Sequence, residues 1–352
     1  DYKAARDEQA RARAAGRWVG IGIASYVEVT GIGSAIPVSP GMPVSTGIEA
    51  ATIRFDPAGK VTAVFGVASH GQGPETTLAQ IVADEVGVPI EDVRVVHGDT
   101  DASPYGTGTY ASRSLVLAGG AAILAGRSVR EKMLVIAGHL LEADPADVTL
   151  ADGRYAVRGM PDRSVTVRQI ARAAYGGAKQ LPKGLEPGLE ATRFYDPYYG
   201  TASNATHAAM IEIDRATLEV KTLRYVVVED CGRMVNPLIV DGQVHGGVAQ
   251  GIGAALLEEI VYDDEGQLLS GTLMDYVVPS ACEIPTMEVH HVETPSPVAL
   301  GGFRGMGEGG TIGAPAAIAN AVADALAPLQ IEIAELPVTP ERLFRLIGKA
   351  RA

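Results

Sequence analysis

AAMIEIDRATLEVKTLRYVVV, residues 208–228, is two apolar runs around a polar turn. Ala208 to Ile213 and Glu219 to Val228 are rich in β-branched and apolar residues, and Asp214-Arg215-Ala216-Thr217 separates them. That pattern predicts an antiparallel hairpin. The next eight residues, EDCGRMVN (229–236), are a polar loop containing glycine, and a helix follows from about Pro237 to Leu257. The same order occurs earlier in the chain. AATIRFDPAGKVTAVFGV (50–67) predicts a hairpin of Ala50 to Phe55 and Val61 to Val67 about the turn Asp56-Pro57-Ala58-Gly59-Lys60. SHGQGPET (69–76) is its loop, and Glu75 to Val86 is its helix, with Pro74 in the first turn. Identity between the two copies is low, so the repeat is one of topology. Both loops join the end of a strand to the start of a helix, where free N–H groups and the helix dipole favour anions such as phosphate.

Outward from these units, Trp18 to Thr30 reads as a strand and Gly31 to Gly47 as a Gly/Pro/Ser-rich loop. Val93 to His97 is a short strand, and Ser112 to Leu141 a long helix whose Ala and Gly content suits close packing. Val148 to Val157 is a hairpin turning at Asp152-Gly153, and Val167 to Ala174 a short helix. Tyr175 to Tyr199 is Gly/Pro-rich and reads as a long loop or a boundary. The expected fold class is α+β or mixed α/β, with two similar hairpin–helix subdomains at 18–199 and 200–352 behind a charged helical segment at 1–17. That segment reads as a piece whose N-terminal neighbour is missing. The chain is then the later part of a longer polypeptide or a cleavage product, a processed mature subunit being the alternative.

Composition narrows the function classes. The 352 residues fit roughly two domains. The 42 glycines show no collagen-like period and imply tight turns and close backbone approaches. Net charge is −13 with no basic stripe, which argues against nucleic acid or an anionic membrane surface as partner. Cys231 and Cys282 form no disulfide framework, consistent with a reducing cytoplasm. No apolar run reads as long enough to span a membrane.

Four segments carry candidate chemistry. GMGEGG (305–310) presents Glu308 alone among glycines before a small-residue apolar helix beginning near Gly313. A fixed carboxylate in a dry surround suits a general base, the alternative being a solvated surface loop. In GQG (71–73), Gln72 offers an amide donor and acceptor to hold a polar ligand, or forms an ordinary turn. GDTD (98–101) and YGTGTYASRS (105–114) gather hydroxyls and one arginine before the long helix. Ser112, Arg113 and Ser114 there suit a phosphate or diphosphate, or are a serine cap beside a solvated arginine. DCG (230–232), Asn236 and GQVHGG (242–247) form the fourth segment, in which Cys231 is a nucleophile or, more simply, a small buried thiol. The seven histidines form no chelating pattern and read as structural.

Taken in order, HGQGPETTLAQI (70–81), GDTD with YASRS (110–114), DCG with Asn236 and GQVHGG, and GMGEGGTIGAP (305–315) resemble one family. It is the C-terminal molybdopterin-binding part of the large subunit of xanthine oxidase-type molybdenum hydroxylases, with the aerobic carbon monoxide dehydrogenase large-subunit branch most similar. The resemblance runs from about Gly16 to Ile347 and implies an α+β fold of two subdomains clamping a molybdopterin cofactor. It implies molybdenum with oxo, sulfido and hydroxo ligands, and Glu308 as the base that takes the hydroxo proton, beside the metal without ligating it. It implies Gln72 and Gly73 at the pterin, and Tyr110, Ser112, Arg113 and Ser114 at the dinucleotide or its diphosphate. Cys231, Asn236 and Gln243 fall to a second cofactor loop, and Gly307 to the loop of the base. The cofactor form implied is molybdopterin cytosine dinucleotide. A [2Fe–2S] subunit and an FAD subunit are implied as partners, as is an N-terminal molybdopterin domain or chain carrying the substrate loop. Two positions depart from the family pattern: Arg304 stands where lysine is usual, and Pro74 where histidine is common. The implied reaction is oxygen insertion at an electron-poor carbon of an N-heterocycle, aldehyde or ketone. Carbon monoxide oxidation with copper, a non-catalytic molybdopterin-binding or assembly protein, and a nucleotide-binding transferase using the Ser112-Arg113-Ser114 helix start for phosphate, with Asp99 and Asp101 as its magnesium pair, are the alternatives.

Overall fold

The computed structural model describes residues 1–36, 46–151, 153–177 and 179–351. Most of the loop expected at Gly31 to Gly47, and Asp152 of one expected turn, lie outside them. Helix α1 (Tyr2–Ala14) is followed by β1 (Trp18–Thr30), β2 (Glu49–Phe55), β3 (Val61–Phe65), α2 (Pro74–Val86), β4 (Val93–Val96) and α3 (Ser114–Leu141). Three short strands, β5 (Val148–Ala151), β6 (Arg154–Val157) and β7 (Met160–Thr166), lead to α4 (Val167–Tyr175). Then come β8 (Glu190–Tyr195), β9 (Thr201–Ile213), β10 (Val220–Asp230), α5 (Pro237–Leu256), β11 (Met287–His291), α6 (Gly309–Ile312), α7 (Ala314–Leu326) and α8 (Pro340–Arg351).

The expected repeat is present and extends further than the hairpins. One four-stranded sheet has the order β4-β3-β2-β8 and the other β11-β10-β9-β1. In each, a hairpin is followed by a helix and a strand that returns parallel to the hairpin's second strand: β3 with β4, β10 with β11. The fourth strand is exchanged. β1 precedes the first hairpin in sequence yet pairs with β9 along its whole length, from Trp18 opposite Ile213 to Thr30 opposite Thr201. β8 precedes the second hairpin yet pairs with β2.

The expected division at residue 199/200 is therefore crossed twice: β1 belongs to the second sheet, and β8 forms a strand where Tyr175 to Tyr199 read as loop or boundary. The cause is the buried face each strand completes. Val19 and Ile21 of β1 are buried, and Trp18, Ala24 and Tyr26 pack on the second core; Tyr195 of β8 belongs to the first.

Each sheet is covered by one long helix, α3 on β2 and β8, and α7 on β1 and β9. Contact is close enough to dictate glycine. A Cβ on Gly22 would lie 2.0 Å from the Ala317 carbonyl oxygen, and one on Gly120 would lie 2.2 Å from the Tyr195 ring. The span Gly309–Leu329 is apolar and long enough to cross a membrane by composition alone, against expectation. Its apolar residues are spent on the sheet, with Ala317, Ile318, Ala321, Val322 and Leu326 of α7 all buried in the second core.

Candidate active site

The two units meet over a cavity of about 360 Å³. From the first unit it is lined by His70, Gln72, Pro74 and the run from Thr109 through Tyr110 to Ser114. From the second it is lined by Cys231, Arg233, Asn236, Gln243 and Arg304 through Glu308. Of the residues that the resemblance assigns to the cofactor or the base, all but Gly73 line it; Asp99 and Asp101 do not. Gly73 sits at the start of α2 with φ +78°, and a Cβ there would lie 2.7 Å from Ile239 on α5, so its place is the contact between the two helix starts.

Glu308 and Ser112 close the cavity from opposite units. The Glu308 backbone N–H donates to Ser112 Oγ at 3.0 Å, and Ser112 Oγ also lies 3.0 Å from Glu308 Oε2. Ser112 is not the first residue of the long helix, as expected. That helix begins at Ser114, and Ala111 and Ser112 are consecutive left-handed residues, φ 49° and 48°. Two such non-glycine residues cost about 1–3 kcal/mol each. The strain turns the hydroxyl out of the helix and toward Glu308.

Arg113 is not the solvated arginine of the simpler expectation. Its guanidinium is neither solvated nor free: it pairs with buried Glu49 at 2.9 Å and donates to the carbonyls of Thr46, Ile48 and Gly108. Burial raises the Glu49 carboxyl, and Arg113 opposes that shift. The arginine thus pins the cavity-lining loop to the start of β2, leaving only Nε without a partner. Tyr110 lies against it, with the guanidinium carbon 5.3 Å from its ring centre. Ser114 shares a hydrogen bond with Thr109 at 2.8 Å. Gln72 closes its own turn, accepting from His70 N at 2.7 Å and donating to Ala68 O at 3.2 Å.

Across the cavity, Cys231 is buried, and burial pushes its thiol well above the ordinary range, the nearby Glu229 acting in the same direction. It is a small buried thiol, the simpler of the two readings. Asn236 caps α5 and donates to Gln80 of α2 at 3.1 Å, tying the two units together. Asp99, half of the acid pair weighed for magnesium, caps its own turn through the amides of Asp101 and Ala102. No group of three or more His, Cys, Asp or Glu able to hold a metal occurs among the described residues.

Three residues that the motifs did not mark also matter. Glu28 of β1 reaches Ser112 Oγ from below at 2.8 Å. Glu49 fixes Arg113. His207 is buried with Nδ1 on the Tyr225 hydroxyl at 2.9 Å and Nε2 without a partner, so it is only half satisfied; burial lowers its pKa to about 4. Strand period points the other way for Glu28: in Val27-Glu28-Val29 the valines would be read as the buried face, yet they are exposed and Glu28 is half-buried.

Residues 1–285 match the model of the molybdopterin cofactor-binding domain. The chain belongs to that family. It is 41% identical over 347 residues to the nicotine 6-hydroxylase large subunit of Paenarthrobacter nicotinovorans, covering 98% of this chain and 42% of that one. It is 39% identical to the carbon monoxide dehydrogenase large chain of Hydrogenophaga pseudoflava, covering 98% and 43%. Among solved structures, quinoline 2-oxidoreductase from Pseudomonas putida 86 superposes with a TM-score of 0.92 at 47% identity, covering 99% of this chain and 44% of that one. The molybdopterin-binding resemblance drawn from the motifs is borne out, and the chain spans less than half the length of these relatives.

The residues present fit the family's cofactor. An anionic, polar group needs donors, and Arg113 and Arg304, each with a buried Nε that has no partner, line the cavity. It also has the Gln243 amide and the Arg233 guanidinium, neither of which is hydrogen-bonded within the described chain. The starts of α2 and α3 have no side-chain cap, which leaves first-turn N–H groups for a ligand.

Proposed function

We propose that this chain is the cofactor-clamping part of a molybdenum hydroxylase large subunit that inserts water-derived oxygen at an electron-poor carbon of an organic substrate. The carrying observation is the Glu308–Ser112 contact, which places one carboxylate of the second unit against the first inside the shared cavity. When bound, the molybdenum cofactor supplies the two-electron redox chemistry, which no side chain of this protein can supply. Glu308 takes the proton of the attacking oxygen. Ser112 fixes its carboxylate, and the glycines around it admit cofactor and substrate. Gln72, Gln243, Arg113 Nε and Arg304 are the groups that would hold the pterin and its phosphates, Gly73 setting the approach of the first loop. Tyr110, Ser114, Cys231, Asn236 and Gly307 shape the walls.

The cofactor form we propose is molybdopterin cytosine dinucleotide. Electrons leave through an iron–sulfur subunit and an FAD subunit, since the chain's two cysteines can ligate no cluster. The chain spans less than half of its relatives' length, and we take an N-terminal molybdopterin domain or chain to complete the substrate side, in a reducing cytoplasm. An N-heterocycle is the favoured substrate class: identity to quinoline 2-oxidoreductase is 47%, against 37% to a solved carbon monoxide dehydrogenase. Elemental and nucleotide analysis of the full-length complex tests the reading. Near-stoichiometric molybdenum with CMP released by acid is expected. No molybdenum with all partners present would refute it and favour a scaffold or assembly role.

A further inference from the structure

Ser112 Oγ has three polar neighbours: the Glu308 N–H at 3.0 Å, Glu308 Oε2 at 3.0 Å and Glu28 Oε1 at 2.8 Å. A hydroxyl has one proton to give and two lone pairs to receive with. The Glu308 N–H takes one lone pair. One proton and one lone pair then serve two carboxyl oxygens, so the arrangement closes only if one of the two acids carries a proton and donates to Ser112.

The surroundings decide which. Glu308 opens onto the cavity. Glu28 stands beneath it on β1, with Ser203 of β9 donating to its other oxygen at 3.3 Å. Tyr26, on the same face of β1, is the other titratable group beside it, and its buried hydroxyl makes no hydrogen bond. No cation pairs with Glu28 among the described residues; the nearby Arg304 is turned to the Ala202 carbonyl at 2.7 Å. Burial raises the Glu28 carboxyl, the Glu308 carboxylate adds to the rise, and the two serine hydroxyls oppose it. A second feature holds the hydroxyl in place: a Cβ on Gly305 would lie 2.0 Å from the Ser112 carbonyl oxygen, so the loop of the base packs directly on the strained turn.

We infer that Glu28 is the positioning residue of the base: as a neutral acid it donates to Ser112, and Ser112 in turn donates to the Glu308 carboxylate. The chain of contacts runs Glu28, Ser112, Glu308, from strand to helix start to loop. It sets the direction of a hydroxyl that would otherwise be free to rotate, and holds Glu308 as an acceptor facing the cavity. Glu28 touches neither substrate nor cofactor in this arrangement. This assignment rests on Glu308 being the base.

The test uses the full-length complex with Glu28→Ala, Glu28→Gln and Ser112→Ala. A hydrogen bond to a charged group is worth about 1.5–3 kcal/mol. Losing it moves the acid limb of the kcat/KM profile upward by roughly one to two pH units. Ser112→Ala is expected to show that shift with molybdenum content unchanged, and Glu28→Ala a smaller one in the same direction, because the hydroxyl keeps its proton but loses the donor that orients it. Glu28→Gln is expected to restore the wild-type limb, because its amide donates to Ser112 as the acid does. Infrared spectra of the resting protein provide a reading independent of turnover: Glu28→Gln deletes a protonated-carboxyl band present at neutral pH. The inference is overturned if glutamine shifts the limb as far as alanine, if alanine leaves it in place, or if no band disappears. A complex without molybdenum or turnover would sink the functional reading instead, and the infrared band would still decide the state of Glu28.

Discussion

The two halves of this molecule share one plan and solve the same contact in opposite ways. Both lay a long helix on a four-stranded sheet whose fourth strand comes from elsewhere in the chain. In the first unit the helix gives way: Gly120 of α3 admits the Tyr195 ring of β8. In the second the strand gives way: Gly20 and Gly22 of β1 admit Ala321 and Ala317 of α7. The site residues divide in the same manner. The first unit supplies the strained Ala111–Ser112 turn and the buried arginine, while the second supplies the lone acid and the open amide of Gln243. A repeated scaffold fixes where the two loops meet, and unlike loops give the meeting point its chemistry.

The largest expected effect lies on the acid. Glu308→Gln keeps the shape and the Ser112 contact but cannot accept a proton, so kcat should fall about 10²–10⁴-fold. Molybdenum and nucleotide content should stay at wild-type levels, and rapid-mixing spectra should show the metal no longer reduced by substrate. Full activity would remove Glu308 from the mechanism.

On the first unit's side, Arg113→Ala strands Glu49 as an unpaired buried carboxylate. Such a loss costs about 3–5 kcal/mol, readable as a lower midpoint in urea unfolding. An unchanged midpoint would mean that the pair contributes nothing to holding the loop.

Much of this plan was legible in the sequence. Hairpins and helices announced themselves through local period and turn residues, and the motifs around Gln72, Ser112, Gln243 and Glu308 led to one cavity. The strand exchange left no local trace, because β1 pairs with residues more than a hundred and fifty positions away. β8 was hidden for a related reason: six residues, EATRFY, lie in a stretch whose glycines and prolines read as loop. The buried pairing of Arg113 is not legible because Glu49 lies 64 residues upstream, and a serine-arginine-serine run carries no sign of it.

The buried polar groups sharpen the contrast further. The first unit buries the Arg113–Glu49 pair; the second, besides Glu229 paired with His291, buries His207, neutral in the folded chain with its pKa lowered to about 4. The unfolded chain takes up a proton near the ordinary value of about 6.5, so stability falls as pH drops from there toward 4. Up to about 3 kcal/mol is expected over that range, and His207→Gln should flatten that part of the profile in urea unfolding at pH 7 and pH 5. An equal slope in the variant would show that other groups govern it.

Overpacking gives the smallest effects, about 1–3 kcal/mol. Gly22→Ala should sit near the top of that range, because the new methyl meets backbone. Gly120→Ala should sit near the bottom, because the Tyr195 ring can turn aside. The reverse order in thermal unfolding would contradict the assignment of the rigid partner in each unit.

The central claim is that both units grip one cofactor in the cavity between them, and a crystal structure of the cofactor-loaded full-length complex tests it most directly. The account predicts continuous density reaching from the Gln72 and Ser112 loops to Gln243, with the Glu308 carboxylate beside the metal. Density lying against one unit alone, or outside this cavity, would contradict it.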